Sequence, residues 1–380
     1  MDKREYVLTR GVEKVLPTKE GLAKIMAERK ITLYQGFDPS NPSLHVGNFI
    51  GIRKLSQFQK LGHRVIFLVG DFTGMIGDPT DKSAARRKLT REEILNNLKD
   101  YKDQAGKILE FTGPNAAKIM FNYDWLSKLT FEDVVELASH FTVQQMIERD
   151  FFQNRLKEGK PIYLHEFLYP LMQGYDSVAM DVDLEIGGSD QLFNILAGRT
   201  LMKEIKNKEK YALSLKLLTD PSGKKMGKTT GNAIFLTDSP TDIFAKVMAF
   251  PDAMLPLATE LLTDIPIEEI RNPNQLGLKK KVGLDIVGQI YGEKKAKEAQ
   301  KSFEDTFQKK APKYSKEIDS LGKIIDTLAQ IDSVGSKTQA KRLLLQGAID
   351  VNGKKTTDSN YTLKSGDQVK VGERVFVKIT

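Results

Sequence analysis

The feature that most limits the fold is the continuous apolar run VIFLVG at 65–70, bounded by turn-forming residues. A strand that is apolar on both faces must be buried on both, which is the habit of parallel sheets sandwiched between helices. Ahead of it, ITLYQGFDP (31–39) begins as a strand and runs into a turn, and VGNFIGIRKLSQFQKL (46–61) carries apolar residues at helical spacing. KIMFN (118–122), DVDLEIGG (181–188) and ALSLKLL (212–218) read as further strands with helical stretches between them. This alternation predicts an α/β fold, a Rossmann-type parallel sheet over residues 1–235. In such sheets ligands bind beyond the carboxyl ends of the strands, where loops and helix N-termini meet.

The pattern changes after that. Residues 236–310 are rich in Ala, Leu, Lys and Glu and are broken by Pro251, Pro256, Pro266 and Pro273, which predicts a small helical domain. The polar, lysine-rich stretch QKKAPKYSKEIDS predicts a linker over 311–325, followed by a small α+β domain over 326–380. In that domain SKTQAKRLLLQGAI reads as an amphipathic helix capped by Ser336. Asn352-Gly353 signals a hairpin, and QVKVG and RVFVKI alternate as short strands.

The 380 residues exceed one comfortable core and suit two or three domains. Cysteine is absent, which excludes a disulfide framework, a thiolate zinc site and a cysteine nucleophile. No apolar run approaches the ~20 residues of a membrane span, and the charged start MDKREYVLTR lacks the apolar core of an export signal. The expected location is therefore cytoplasmic. Net charge is +8, and residues 331–380 hold nine Lys/Arg against five Asp/Glu. Surplus lysine often does no more than solvate a surface, but a basic tail of this density also suits a phosphate backbone.

Two segments suggest nucleotide chemistry. In GFDPSNPSLHVGN (36–48), a His, a Gly and a small polar residue open a helix just after a strand. A helix N-terminus offers unpaired N–H groups and a positive dipole end to phosphates. In DPSGKKMGKTTGN (220–232), Lys225 and Lys228 with Thr229 form a short loop able to bring two ammonium groups and a hydroxyl to a triphosphate. Alone, HxGN is a short match, and lysine pairs are commonly solvated turns. Their joint occurrence in this order on an α/β background carries the information.

At these residues the chain resembles the bacterial tyrosyl-tRNA synthetases, class I aminoacyl-tRNA synthetases, over most of its length. HVGN matches the family's HIGH signature and KMGKT its KMSKS signature. LYQGFDPS, VGDFTGMIGDP, EFLYPLMQGYDS and EIGGSDQLFN match blocks that line the family's active site, and the tail resembles a small ribosomal-protein-S-four-like RNA-binding domain. The resemblance implies that Tyr34 and Asp176 meet the tyrosine hydroxyl, while Asp78, Tyr169 and Gln173 hold its α-ammonium group. Asp38, Asp190 and Gln191 would contact the amino acid or ribose, with Gly36, Gly47 and Gly188 giving backbone access. Ser40, His45 and Asn48 would face ATP. Lys82 and Arg86 would close on the pyrophosphate from one loop, and Lys225, Lys228 and Thr229 from the other. Lys337, Lys341, Arg342, Lys354 and Lys355 would bind tRNA.

Three positions depart from the family pattern. Asn48 replaces the last His of HIGH, Ser40 stands where threonine is common, and Gln35 stands where some members have cysteine. Asn48 can hydrogen-bond a ribose oxygen but carries no charge. The implied reaction joins tyrosine to its tRNA through tyrosyl-adenylate, with ATP as substrate, Mg²⁺ accompanying it and no tightly bound cofactor. The implied assembly is a homodimer, with 125–165 the region to inspect for its interface. A tryptophanyl-tRNA synthetase shares the fold and HxGN, but Asp176 within QGYDS and the basic tail favour tyrosine. A pantothenate-synthetase-like ligase would not need the C-terminal domains. A non-catalytic RNA-binding relative would have little reason to keep so many suitable side chains at the matched positions.

Overall fold

The computed structural model describes residues 2–78, 89–220, 222–223, 233–271, 274–308, 316–331, 334–372 and 375–380. The chain divides into two compact units, Met1–Lys297 and Glu298–Thr380.

The first unit is built on β1 (Val12–Leu16), β2 (Thr32–Phe37), β3 (Arg64–Val69), β4 (Lys118–Phe121), β5 (Leu184–Gly188) and β6 (Tyr211–Leu215), in the order β1-β6-β5-β2-β3-β4. All neighbours are parallel except β1, which caps one edge antiparallel to β6. The apolar run read as a doubly buried strand is β3, with Val65 to Val69 all buried. It lies between β2 and β4. Strand order reverses at β2, which has β3 on one side and β5 on the other. β2 and β5 are in register only at Leu33↔Leu184 and Tyr34↔Glu185, whereas β2 stays paired with β3 through Phe37. A crevice at such a switch point is where ligands sit in open α/β sheets.

The helix Val46–Lys60 packs on β2, β3 and β5, and the helix Leu192–Lys206 packs on β5 and β6. Leu164–Met180 lies along Leu192–Lys206 and delivers its buried face, including Tyr169 and Asp176, toward the sheet. The region beyond 235 is helical as expected, with Pro240–Met248, Leu255–Leu262 and Gln275–Tyr291 packing together. Residues 236–297, however, share a compact unit with the sheet. The packing of Leu255–Leu262 on Val46–Lys60 accounts for this.

The second unit holds a five-stranded sheet: β7 (Lys316–Ile318), β8 (Ile349–Val351), β9 (Lys354–Lys355), β10 (Gln368–Val371) and β11 (Val375–Ile379), ordered β7-β11-β10-β8-β9. Its core is Ile318, Ile324, Leu328, Leu344, Ile349, Val369, Val377 and their neighbours. The helix Lys337–Leu345 starts at Ser336, whose side chain accepts from Gln339 N, and Asn352-Gly353 turns β8 into β9. The stretch 311–325 differs from the expected linker. β7 falls inside it and pairs parallel with β11, because Ile318 is apolar enough to join the core and β11 would otherwise leave an edge unpaired.

Candidate active site

The geometry starts with the two signature segments. His45 caps the helix Val46–Lys60: its Nδ1 accepts from Gly47 N at 3.0 Å and Asn48 N at 3.3 Å, while Asn48 Oδ1 accepts from His45 N at 3.0 Å. This reciprocal capping box gives Asn48 a structural task that its carboxamide performs well. Because Nδ1 accepts, the ring proton of neutral His45 sits on Nε2. A Cβ on Gly47 would lie 2.8 Å from the imidazole, so only glycine leaves the ring in this pose.

The chain that follows the second segment, from residue 233 on, reaches the same place. Val46 N donates to Ile234 O and Leu236 N to Leu44 O, each at 2.8 Å, and His45 bridges Phe235. Ile234 and Leu236 are buried. The chain leaving the KMGKT segment is thus stitched to the start of the helix that carries HVGN. Lys225, Lys228 and Thr229 lie outside the described residues, as do Lys82 and Arg86. Ser40 and Gly36 are exposed at the end of β2, and Ser40 N donates to Asp38 O at 2.8 Å.

At the switch point the remaining expected residues fall into two hydrogen-bonded chains. In the first, Tyr169 Oη donates to Asp38 Oδ2 and Thr73 Oγ1 to Asp38 Oδ1, both at 2.7 Å. Asn122 Nδ2 then joins Thr73 Oγ1 (3.0 Å) to Asp176 Oδ2 (3.2 Å), and Trp125 Nε1 donates to Asp176 Oδ1 at 2.7 Å. In the second, Arg149 and Gln191 Nε2 (2.5 Å) donate to Asp78. Asn194 Nδ2 donates to both Gln191 Oε1 (2.9 Å) and Gln173 Oε1 (3.0 Å), and Gln173 Nε2 donates to Glu185 Oε1 at 2.9 Å. Tyr34 Oη lies 2.8 Å from Ser177 Oγ. Gly188 and Asp190 close the far side, where a Cβ on Gly188 would strike the Asp190 carboxylate.

Burial governs the electrostatics. Tyr34 and Tyr169 are held well above the usual phenol range, first by desolvation and then by nearby carboxylates. Burial also raises Asp176 well above the usual carboxylate range, opposed by the hydrogen bonds from Trp125 and Asn122. Thr73, Asn122, Trp125, Arg149, Ser177, Glu185, Asn194 and Lys210 complete these networks, and the sequence reading assigned a role to none of them. Ser177, Glu185 and Asn194 lie within blocks matched to the family, so their position was a signal. Asn122 and Trp125 follow β4 with no motif of their own.

Comparison with known proteins identifies the family. Residues 26–308 match the family of tRNA synthetases class I (W and Y), and residues 302–377 match the tyrosine–tRNA ligase SYY-like C-terminal domain. The chain is 40% identical to the tyrosine–tRNA ligase of Carboxydothermus hydrogenoformans, covering 98% of this chain and 96% of that one. It is also 40% identical to that of Thermotoga maritima, covering 100% and 98%. In fold it is similar to a C-terminally truncated mitochondrial tyrosyl-tRNA synthetase from Aspergillus nidulans, with TM-score 0.68 and 23% identity over 80% of this chain and 94% of that one. It likewise resembles an Archaeoglobus fulgidus tyrosyl-tRNA synthetase complexed with L-tyrosine, with TM-score 0.60 and 20% identity over 79% and 100%. Near-complete coverage by the two family models, and by relatives at 40% identity, means that the chain belongs to the class I tRNA synthetases and, within them, to the tyrosine–tRNA ligases.

Proposed function

We infer that this chain activates tyrosine with ATP and transfers it to the 3′-terminal adenosine of its tRNA. The observation that carries this reading is the convergence of the HVGN helix start, the exit of the KMGKT segment and the Asp38–Tyr169–Asp176 network at one end of the sheet. An oxygen of the tyrosine carboxylate attacks the α-phosphorus; a new P–O bond forms as the bond to the β-phosphate oxygen breaks, giving tyrosyl-adenylate and pyrophosphate. That carboxylate is already ionised near neutrality, so the step needs positioning and charge stabilisation rather than a base. His45, Lys82, Arg86, Lys225, Lys228 and Thr229 take the phosphate side. Mg²⁺ arrives with ATP as part of the substrate. A ribose hydroxyl of the tRNA then displaces AMP from the adenylate.

Tyr34 and Asp176 form the phenol end of the tyrosine site, and Asp78, Tyr169 and Gln173 the ammonium end. Phenylalanine would bury the phenol end without the hydroxyl that completes the hydrogen bonding of Asp176 and Tyr34, and a hydrogen bond lost in a buried site costs about 1–3 kcal/mol. Gly36, Asp38, Ser40, Gly47, Asn48, Gly188, Asp190 and Gln191 line the ATP side. The tail and the helices beyond 235 meet tRNA, and the reaction belongs in the cytoplasm.

A homodimer is supported by an apolar face on the first unit. Phe131 (84%) and Leu164 (79%) are highly exposed, and they flank in sequence Leu129, Val134 and His165, which with Leu126, Leu137 and Leu168 line a cavity of about 280 Å³. Large exposed apolar patches mark association surfaces.

The test is ATP–pyrophosphate exchange with tyrosine, tryptophan and phenylalanine, without tRNA, on a sample whose mass is read by sedimentation. Exchange with tyrosine alone and a dimeric mass are expected. Exchange with tryptophan would overturn the pocket assignment, and a monomeric mass would overturn the dimer.

A further inference from the structure

Beneath the tyrosine site lies a charge pair that the reaction as described does not use. Glu185, on β5, and Lys210, immediately before β6, form an ion pair with side chains 1% and 0% exposed. Lys210 Nζ also donates to Ile195 O at 3.1 Å and sits 5.9 Å from the centroid of the Tyr34 ring. The surrounding chain makes room for it. A Cβ on Gly198 would come within 2.4 Å of Lys210 Nζ and 2.8 Å of Ser177 Oγ. Desolvating two charges is expensive, and an apolar pair of similar volume commonly gives equal or greater stability. A buried pair touching a binding site therefore calls for an account other than stability.

The contacts of Glu185 supply one. Its Oε1 accepts from Gln173 Nε2 at 2.9 Å, and its Oε2 accepts from Ser177 Oγ at 3.3 Å as well as from Lys210. An ionised carboxylate only accepts. Gln173 must therefore point its NH₂ at Glu185 and keep its carbonyl oxygen on the other side, where it accepts from Asn194 and retains a lone pair. An ammonium ligand requires an acceptor of that kind. With the single Ser177 proton donated to Glu185, Ser177 Oγ is left to accept from Tyr34 Oη, 2.8 Å away. One carboxylate thus sets the hydrogen-bond direction at both ends of the site, and Lys210 is its counter-ion in the core.

We propose that Glu185 and Lys210 are positioning residues for tyrosine: a buried ion pair that orients the Gln173 amide and the Ser177–Tyr34 hydroxyls. This rests on the reading that Gln173 and Tyr34 meet the two ends of tyrosine. Glu185→Gln keeps the shape but presents N–H groups where there were only lone pairs, freeing Gln173 to turn over. The double substitution Glu185→Leu with Lys210→Met removes both charges and leaves no unpaired ion in the core.

The experiment is tyrosine-dependent ATP–pyrophosphate exchange by the full chain and both variants, with KM for tyrosine, KM for ATP and kcat measured separately and thermal unfolding as the control for folding. Both variants are expected to raise KM for tyrosine about ten- to hundredfold, with KM for ATP and kcat within about threefold of the parent. The double variant is expected to unfold at or above the parent's temperature. If either folded variant keeps its KM for tyrosine within twofold of the parent, the pair is only packing and the proposal is wrong. A parallel loss in KM for ATP and in kcat would also overturn it, as general damage. Absence of exchange by the unmodified chain would fall instead on the activity assignment, a separate result visible before any variant is compared.

Discussion

Asp176 shows how much a single buried carboxylate can ask of its surroundings. It is 2% exposed, and Trp125 and Asn122 each donate to one of its oxygens. Those donors lower the cost of keeping it charged, while burial raises its pKa. Asp176→Ala removes the acceptor proposed for the phenol and takes away the acceptor of Trp125 Nε1 and one of the two that Asn122 Nδ2 uses. Tyrosine-dependent exchange is expected to fall by 10²-fold or more on that substitution, and near-parental exchange would rule out the assigned role. Residues of this kind were readable because they stand in dense, distinctive blocks such as EFLYPLMQGYDS. Lys210 was not. It lies in the charge run EIKNKEKY (204–211), which reads as solvated surface, and its burial follows only from the register of β6 beside β5.

Among elements, the helix Val46–Lys60 joins more partners than its sequence advertised. Its first turn holds the His45–Asn48 cap, and its second half reaches away from the site. Arg53 Nε donates to Gln289 at 3.0 Å and its guanidinium pairs with Asp264, tying the helix to the region beyond 235. Lys54 Nζ donates to Val7 O at 2.8 Å and Arg10 O at 2.9 Å, at the end of the N-terminal helix Lys3–Thr9. Burial, with Arg53 and Arg10 nearby, pushes the Lys54 ammonium down from 10.5 to about 7. Between those pH values the unfolded chain binds a proton that the folded chain does not, so this residue makes the fold more stable as pH rises from about 7 toward 10.5. Lys54→Met is expected to flatten that rise in urea unfolding free energy measured at pH 7 and pH 9. An unchanged slope would show that Lys54 stays charged in the folded chain.

For the whole molecule, the tail's proposed tRNA contacts all fall on the second unit. The second unit has its own apolar core and displays Lys337, Lys341, Arg342, Lys354 and Lys355, all exposed, on its helix and hairpin. Lys337 pairs with Asp326 at 2.7 Å, yet its side chain remains 71% exposed, so that contact is a weak competitor for a phosphate. Changing Lys341 and Arg342 to Glu should leave tRNA-independent exchange untouched, weaken tRNA binding and reduce its dependence on salt concentration by about one unit or more of log–log slope. Binding with an unaltered slope would take the tail out of the tRNA interface. The linker expected over 311–325 illustrates a limit of composition. QKKAPKYSKEIDS is polar enough for a tether, and only its three-residue pairing to β11 makes part of it a strand.

The sequence by itself determined the α/β class, the succession of the parallel strands β2 to β6, the cap at Ser336, the Asn352-Gly353 hairpin and the family. Each of these is written in local periodicity, turn chemistry or a contiguous motif. Tertiary structure alone decided which side chains share a proton or a charge. The pairing of Tyr34 with Glu185 across β2 and β5, the stitching of Ile234 to Val46, and the burial of Lys210 against Glu185 join residues that are 25 to 188 positions apart in sequence. Strand order and register bring such groups together, and no local pattern encodes them, because the energy that fixes them comes from burial in the assembled core.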